Sequence, residues 1–145
     1  MKKDYFVNKL YCEFTIVSDE IEPEEISHIL GISPDRFFVK GETSLSRNSG
    51  SVIKKPHNLW SISSSAIISE EVNISSHLEH LKLKLIKKIK VLKRLKSDVK
   101  YELSFWVWLE TDNSGIGLDI SEQEMLFLTE CSNRVHFSFI TNDEI

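Results

Sequence analysis

Cysteine, proline and glycine are scarce in this chain of 145 residues, which holds two, three and five of them respectively. The two cysteines, Cys12 and Cys131, lie far apart in sequence. Isolated cysteines of a cytosolic protein usually pack as small hydrophobic residues, so we expect two buried free thiols and no disulfide. The chain is 41% hydrophobic and 28% charged. That composition is ordinary for a globular protein and excludes disordered, collagen-like and coiled-coil chains.

The sequence also has no long apolar run. No segment approaches the roughly 18 uncharged residues that a membrane-spanning helix needs. No apolar stretch follows Lys2 and Lys3 as it would in a signal peptide. We therefore expect a cytoplasmic protein with no membrane partner. The length predicts a single domain over residues 1–145, large enough to bury a core without a disulfide or a metal.

Recognisable catalytic motifs are missing as well. The chain has no Gly-x-Ser-x-Gly nucleophile motif and no glycine-rich phosphate-binding loop. His77 and His80 have a spacing that can bind a metal on a helix, but no obvious third ligand lies nearby in sequence. We therefore predict no catalytic residue, no metal and no cofactor. A small enzyme or a ligand pocket near Trp60, Trp106 and Trp108 stays open as an alternative.

Hydrophobic periodicity carries most of the structural information in the sequence. Alternation of apolar and polar residues predicts strands, and apolar residues at three- and four-residue spacing predict helices. The predicted elements are, in chain order, strand 5–18, helix 23–30, an extended segment 36–40, strand 58–63, helix 76–95, strand 101–109, a short strand 117–120, helix 121–131 and strand 134–140.

Local signals mark several helix ends. Pro23 suits the first turn of the first helix, and Gly31 is a natural stop for it. Ser121 and Glu124 have the spacing of a capping box at the start of the last helix. Asn133 is predicted to end that helix in a left-handed conformation.

The order β-α-β-β-α-β-(β)-α-β predicts an α+β fold. We expect a mostly antiparallel sheet with helices packed on one face, with the ferredoxin-like split unit as one form of this arrangement. The long polar segment 41–57 is predicted to be a mobile loop or the tip of a hairpin. Trp106 and Trp108 lie on the less apolar face of their strand, which predicts that a helix or a partner covers this face.

The net charge of −4 hides a strong separation of charge along the chain. Residues 82–100 contain nine basic residues and one acid, Asp98, and therefore carry a net charge of +8. The other 126 residues contain nine basic and 21 acidic residues, a net charge of −12. The sequence thus predicts a surface with one basic region and a larger acidic one.

The segment from Glu24 to Glu42, EEISHILGISPDRFFVKGE, followed by Trp60, resembles the bacterial family of domains of unknown function 4279. The shared features are a helix that ends in Leu-Gly-Ile, a following proline, an aromatic residue and a Lys-Gly-Glu stop. Phe38 departs from the tryptophan that is more usual there, and the polar loop after Gly41 is longer than usual. The resemblance covers nearly the whole chain. It implies an α+β fold and a bacterial origin, and it brings no activity and no catalytic residues.

The leading functional prediction is a non-enzymatic immunity protein of a contact-dependent or polymorphic toxin system. An acidic surface, either alone or together with the loop 42–57, would neutralise a cognate bacterial toxin by occluding the toxin's active site. The oligomeric state is not predicted. Opposite charge speeds the capture of a basic partner, although carboxylates at helix starts also act as caps. The predicted partner-binding residues are the acids around the first helix start, Asp19, Glu20, Glu22, Glu24 and Glu25.

A second hypothesis is a protein that binds nucleic acid or phosphate through its basic helix. Phosphates release counterions when they bind such a surface. The acidic remainder of the chain argues against a long nucleic acid as the partner. The predicted binding residues lie on the side of the helix away from its leucines, at Lys84, Lys87, Lys90 and Arg94.

Overall fold

The computed structural model describes residues 7–46, 49–65, 73–111 and 117–141. Residues 5 and 6, which the sequence placed in the first strand, lie outside these ranges. The strands are β1 (Val7–Ser18), β2 (Arg36–Phe38), β3 (Thr43–Leu45), β4 (Val52–Lys54), β5 (Asn58–Ser63), β6 (Glu102–Thr111) and β7 (Arg134–Thr141). The helices are α1 (Pro23–Leu30), α2 (Ile74–Leu85), α3 (Ile89–Ser97) and α4 (Glu122–Cys131), with a 3-10 turn at Ile86–Lys88.

Five strands form the main sheet in the order β2-β5-β1-β6-β7, and β3 pairs with β4 in a separate two-stranded sheet. Within the main sheet, β6 and β7 run parallel and every other neighbouring pair is antiparallel. The prediction of a mostly antiparallel α+β sheet is therefore confirmed. The ferredoxin-like variant does not fit, because no strand separates the parallel strands β6 and β7.

The helices pack on one face of the sheet and enclose a single aromatic and aliphatic core. Phe14 lies at its centre, with its ring centroid 4.9 Å from that of Phe105 and 6.4 Å from that of Trp60. The indole Nε1 of Trp60 donates a 3.0 Å hydrogen bond to Ser27 Oγ of α1, which satisfies the only polar atom of that side chain. The buried thiols of Cys12 and Cys131 are free, as predicted, and burial raises the pKa of each to about 12.

The single long helix predicted over 76–95 is interrupted. A 3-10 turn at Ile86–Lys88 separates α2 from α3, and Ile86 points into solvent. The tighter turn changes the direction of the side chains that follow, so that α3 buries Leu92 and Leu95. Periodicity identified the apolar positions correctly but did not reveal the break, because the sequence contains neither proline nor glycine there.

Two further local predictions are wrong. Residues 117–120 form no strand, although Leu118 and Ile120 pack against the core. Asn133 is not left-handed, since no residue other than glycine has a positive φ in the described part of the chain. Its side-chain amide instead donates to Lys96 O at 3.1 Å, and its Oδ1 accepts from the Leu103 backbone N–H at 3.2 Å. These hydrogen bonds to residues distant in sequence hold Asn133 in place of the left-handed helix end that was predicted. The first helix does end as predicted, at Gly31 with φ of 66°.

The predicted capping box at the start of α4 is present. Glu124 N donates to Ser121 Oγ at 3.2 Å, and Ser121 N donates to Glu124 Oε1 at 2.8 Å. Burial alone would raise the pKa of Glu124, but hydrogen bonds from the Ser121 backbone and from the Ser75 and Ser121 hydroxyls outweigh it and lower this pKa. The carboxylate form of Glu124 is therefore the one that stabilises the folded chain.

Replacing Ser121 by alanine is expected to lower the free energy of unfolding by about 1 kcal/mol at pH 7. The pKa of Glu124 is lower in the folded chain than its ordinary value of 4.5, so its contribution is complete above that value. It is lost as the pH falls through the folded pKa. Urea unfolding of Ser121→Ala and wild type from pH 7 to 3 should show the difference shrinking below pH 4.5. A constant difference would contradict this account.

None of the helices in the described ranges is long and apolar enough to span a membrane.

Candidate interaction surfaces

In the described residues of the segment 41–57, which leave out 47 and 48, two strands pair as a hairpin, one of the two forms predicted for this segment. β3 and β4 pair in the register Thr43 to Lys54, Ser44 to Ile53 and Leu45 to Val52. Every residue of both strands is exposed, and Leu45 is 72% accessible to solvent. Leu45 and Val52 are cross-strand partners, so they form an apolar pair on one face of the hairpin. We call β3 and β4 together the exposed hairpin.

The five acids predicted to bind a partner lie in one exposed segment between β1 and the first turn of α1. The connection is shaped by Ser18, whose hydroxyl accepts hydrogen bonds from the backbone N–H groups of Glu20 and Ile21. Glu24 and Glu25 occupy the first turn of α1, where the helix dipole favours negative charge. Four of the five acids line one shallow cleft, Glu20, Glu22, Glu24 and Glu25. We call residues 19–25 the acidic segment.

The exposed hairpin and the acidic segment emerge from the same end of the main sheet. Ser18 and Asn58 are cross-strand partners at the ends of β1 and β5. Asn58 Oδ1 accepts a 2.8 Å hydrogen bond from the backbone of Lys40, and the Lys40 ammonium lies 3.8 Å from the Asp19 carboxylate. The hairpin begins directly after Lys40, where Gly41 N donates to Lys55 O at 2.9 Å. The acidic segment and the exposed hairpin are thus neighbours in the fold.

The basic residues of the second hypothesis do not form one uniform face. The 3-10 turn interrupts their helix, and the Lys84 ammonium lies 3.7 Å from the Asp35 carboxylate. Lys87, Lys90 and Arg94 are exposed. Within the described ranges, no carboxylate lies within ion-pair distance of these three side chains.

The face of the sheet opposite the helices is centred on a buried carboxylate that sequence reasoning overlooked. Glu13 is only 4% exposed. Its Oε2 accepts from Arg36 Nη2 at 2.8 Å, from Arg36 Nε at 3.1 Å and from the Ser61 hydroxyl, while its Oε1 accepts from Trp108 Nε1 at 3.1 Å. The signal in the sequence was an acid in the middle of an apolar strand, since a charge there requires partners.

Four rings stack in a row across this open face. The centroid of Trp108 lies 6.1 Å from that of Tyr11 and 5.1 Å from that of Trp106, and Trp106 lies 4.1 Å from His136. Both tryptophans therefore have a ring against each of their faces, and they show their edges to solvent. Nucleic-acid bases stack on the faces of rings, so this row is a poor platform for them.

In the described ranges, the three tryptophans of the ligand-pocket alternative lie on two different faces of the sheet and do not line one pocket. Trp60 is cross-strand partner to the core residue Ile16, whereas Trp106 is partner to Glu13 on the open face. Because neighbouring positions along β1 point to opposite faces, Trp60 is separated from Trp106 and Trp108 by the sheet itself. We expected a helix or a partner to cover the two open-face tryptophans. No helix in the described ranges lies over them, and cover by a partner stays a prediction.

The two histidines with metal-binding spacing, His77 and His80, lie in different environments. His77 is fully buried, and its Nδ1 lies 2.7 Å from the Ser64 hydroxyl. His80 is partly exposed, and burial, with Lys84 as the next cause, lowers its pKa. The described residues bring together no group of three histidine, cysteine, aspartate or glutamate side chains that would hold a metal.

Comparison with curated proteins and with solved structures finds no match to the chain. One family model matches residues 8–142 and covers nearly all of the sequence. Its description is Domain of unknown function (DUF4279). The helix, turn and Lys-Gly-Glu stop from which the resemblance was drawn lie inside that range, and the chain belongs to this family.

Proposed function

We propose that this protein is a cytoplasmic immunity protein that binds a cognate toxin and covers the toxin's active site. The observation that supports this most is the convergence of the exposed hairpin and the acidic segment at one end of the sheet. An apolar pair flanked by carboxylates has the composition of a protein interface, with a desolvated centre and a polar rim. The strands of the hairpin are exposed along their whole length, and the carboxylates of the acidic segment are exposed as well.

The hairpin would supply most of the binding energy. Two-stranded hairpins are marginally stable on their own, and this one leaves Leu45, Val52 and Ile53 exposed. Contact with a partner would bury these side chains and order the hairpin at the same time. Its position beyond the end of the main sheet would allow it to enter a concave active site.

The acidic segment would raise the rate of association with the toxin and favour a toxin with a basic surface. In the described part of the chain, Glu20, Glu22, Glu24 and Glu25 have no cation within ion-pair distance, so their field is directed to solvent. A toxin that acts on nucleic acid must carry a basic active-site surface, which this field would attract. Rim charges of this kind mainly change the association rate and its dependence on salt.

The proposal is tested with the protein encoded by the reading frame next to that of this chain. Biolayer interferometry should show binding to this chain, and the activity of the neighbouring protein should fall in its presence. The double variant L45S/V52S should weaken binding at least about 30-fold, because it removes an apolar centre worth roughly 2 kcal/mol or more. The matched control is Leu83→Ser on α2, where the leucine is 68% exposed and far along the chain from the hairpin.

The acidic segment is tested separately in the same assay. The triple variant E20K/E22K/E24K should lower the association rate about tenfold or more at low salt and much less at high salt. The control variant D119K/E122K reverses the charge of two exposed acids near the start of α4. A neighbouring toxin that ignores wild-type protein, or equal losses in the test and control variants, would overturn the proposal.

Binding of nucleic acid stays the second candidate, supported by the exposed and unpaired cations Lys87, Lys90 and Arg94 in the described ranges. It predicts affinity for single- or double-stranded DNA or RNA that falls steeply as salt rises. The triple variant K87A/K90A/R94A should abolish that affinity without affecting toxin binding. Absence of binding at low salt removes this candidate.

A further inference from the structure

The two edges of the main sheet are built differently. The β2 edge is only three residues long, and it has Pro34 just before it and Arg36 within it. Short length, proline and charge are the usual means by which sheet edges avoid pairing with other strands. The edge formed by β7 has eight residues, contains no proline, and has its one arginine, Arg134, at its first position.

The β7 edge is also regular and apolar. Its register with β6 runs without a bulge from Arg134 to Thr141. Phe137 and Phe139 are 46% and 56% exposed on the helix side of the sheet, and Ile140 is exposed on the open face. In the described ranges, no strand pairs with the outer side of β7. Long, flat, apolar edges of this kind attract another strand.

We infer that a second copy of this chain occupies the β7 edge, so that two sheets join into one of ten strands through antiparallel β7–β7 pairing. The charge of the strand favours this occupant. Between Val135 and Thr141 there is no acidic or basic residue other than His136, so two copies meet without repulsion. Antiparallel pairing also places the two Arg134 side chains at opposite ends, whereas parallel pairing would set them side by side.

Of the registers that twofold symmetry allows, those with the axis at one of the two central residues of β7 pair the largest part of the strand. Cross-strand partners in an antiparallel pair point to the same face of the sheet. Each residue of β7 must therefore pair with a residue of the other copy whose side chain lies on that same face. A twofold axis at Ser138 pairs Phe137 with Phe139 of the other copy, and an axis at Phe137 pairs it with its own equivalent. Either register buries four phenylalanines in one cluster.

This dimer is independent of the proposed toxin-binding surface. The exposed hairpin follows β2, and β2 and β7 are opposite edges of the sheet. Each copy would therefore keep its hairpin and acidic segment free, and the assembly would bind two partners.

Sedimentation equilibrium of the full chain tests the inference. Wild type should be a dimer at micromolar concentration, and F137K/F139K should raise the dissociation constant at least about tenfold, because it sets like charges opposite one another. The control L45K/V52K adds the same charge to the exposed hairpin and should leave the dimer unchanged. Circular dichroism should show that both variants are folded.

Cysteine cross-linking gives a second measurement that does not depend on a destabilising change. Ser138→Cys should form an intermolecular disulfide if the axis lies at residue 138, and Phe137→Cys should do so if it lies at 137, since the native thiols are buried. A monomeric wild type that fails to cross-link at both positions overturns the inference. So does a dimer that F137K/F139K leaves intact, or a β7 edge that pairs only with a strand of the toxin.

Discussion

Replacing Phe14 by alanine is expected to lower the free energy of unfolding by about 3–5 kcal/mol. Phe14 is fully buried in the central strand β1, and its ring packs against those of Trp60 and Phe105. Its removal leaves a cavity between the sheet and the helices, under a strand that is held by backbone hydrogen bonds on both sides and cannot move easily to fill the space. Because small domains are stable by only about 5–15 kcal/mol, this change should remove a large share of the total.

Urea unfolding followed by tryptophan fluorescence measures the effect of Phe14→Ala. The matched control is Phe37→Ala in β2, where the ring is 60% exposed and its loss should cost less than about 1 kcal/mol. Similar decreases in the free energy of unfolding at the two positions would contradict the placement of the core on the helix side of β1, β5 and β6.

Replacing Arg36 by methionine is expected to lower the free energy of unfolding by about 2–3 kcal/mol. Methionine keeps an apolar stem over the sheet but removes both hydrogen bonds that the guanidinium donates to Glu13. The side chain of Glu13 is 5% exposed and would keep only Ser61 and Trp108 as donors. Removing the cation that is paired with a buried carboxylate lowers the free energy of unfolding far more than removing the partner of a surface charge.

The control for this ion pair is Arg134→Met. Arg134 lies 3.0 Å from Glu102, and both side chains are about half exposed, so the loss should be below about 1 kcal/mol. Adding Glu13→Gln to Arg36→Met should recover part of the loss, because a neutral amide does not need the cation. Equal costs for Arg36→Met and Arg134→Met would show that Glu13 is solvated in the folded protein.

The sequence was a good guide wherever a local signal determined the structure. Alternation located β1, β5, β6 and β7, and Pro23, Gly31 and the capping box fixed helix ends, because each signal acts within a few residues. The errors arose where contacts between residues far apart in sequence determined the local structure. Asn133 is held by Lys96 and Leu103 instead of forming a left-handed stop.

The interaction surfaces were harder to predict for the same reason. The acidic segment was visible as a run of carboxylates, but its proximity to the exposed hairpin depends on Lys40 and Asn58, which are 18 residues apart. The pairing of Glu13 with Arg36, Ser61 and Trp108 joins four segments. The open β7 edge follows from the strand order, which no single stretch of sequence contains.

The central claim is that the exposed hairpin and the acidic segment together form the surface that meets the toxin. Hydrogen–deuterium exchange of the full chain, alone and with the protein of the neighbouring reading frame, tests it most directly. We predict that the complex slows exchange at residues 19–25 and 43–54 and leaves α2 and α3 unchanged. Protection confined to the helices, or to the open face around Trp106 and Trp108, would contradict the claim.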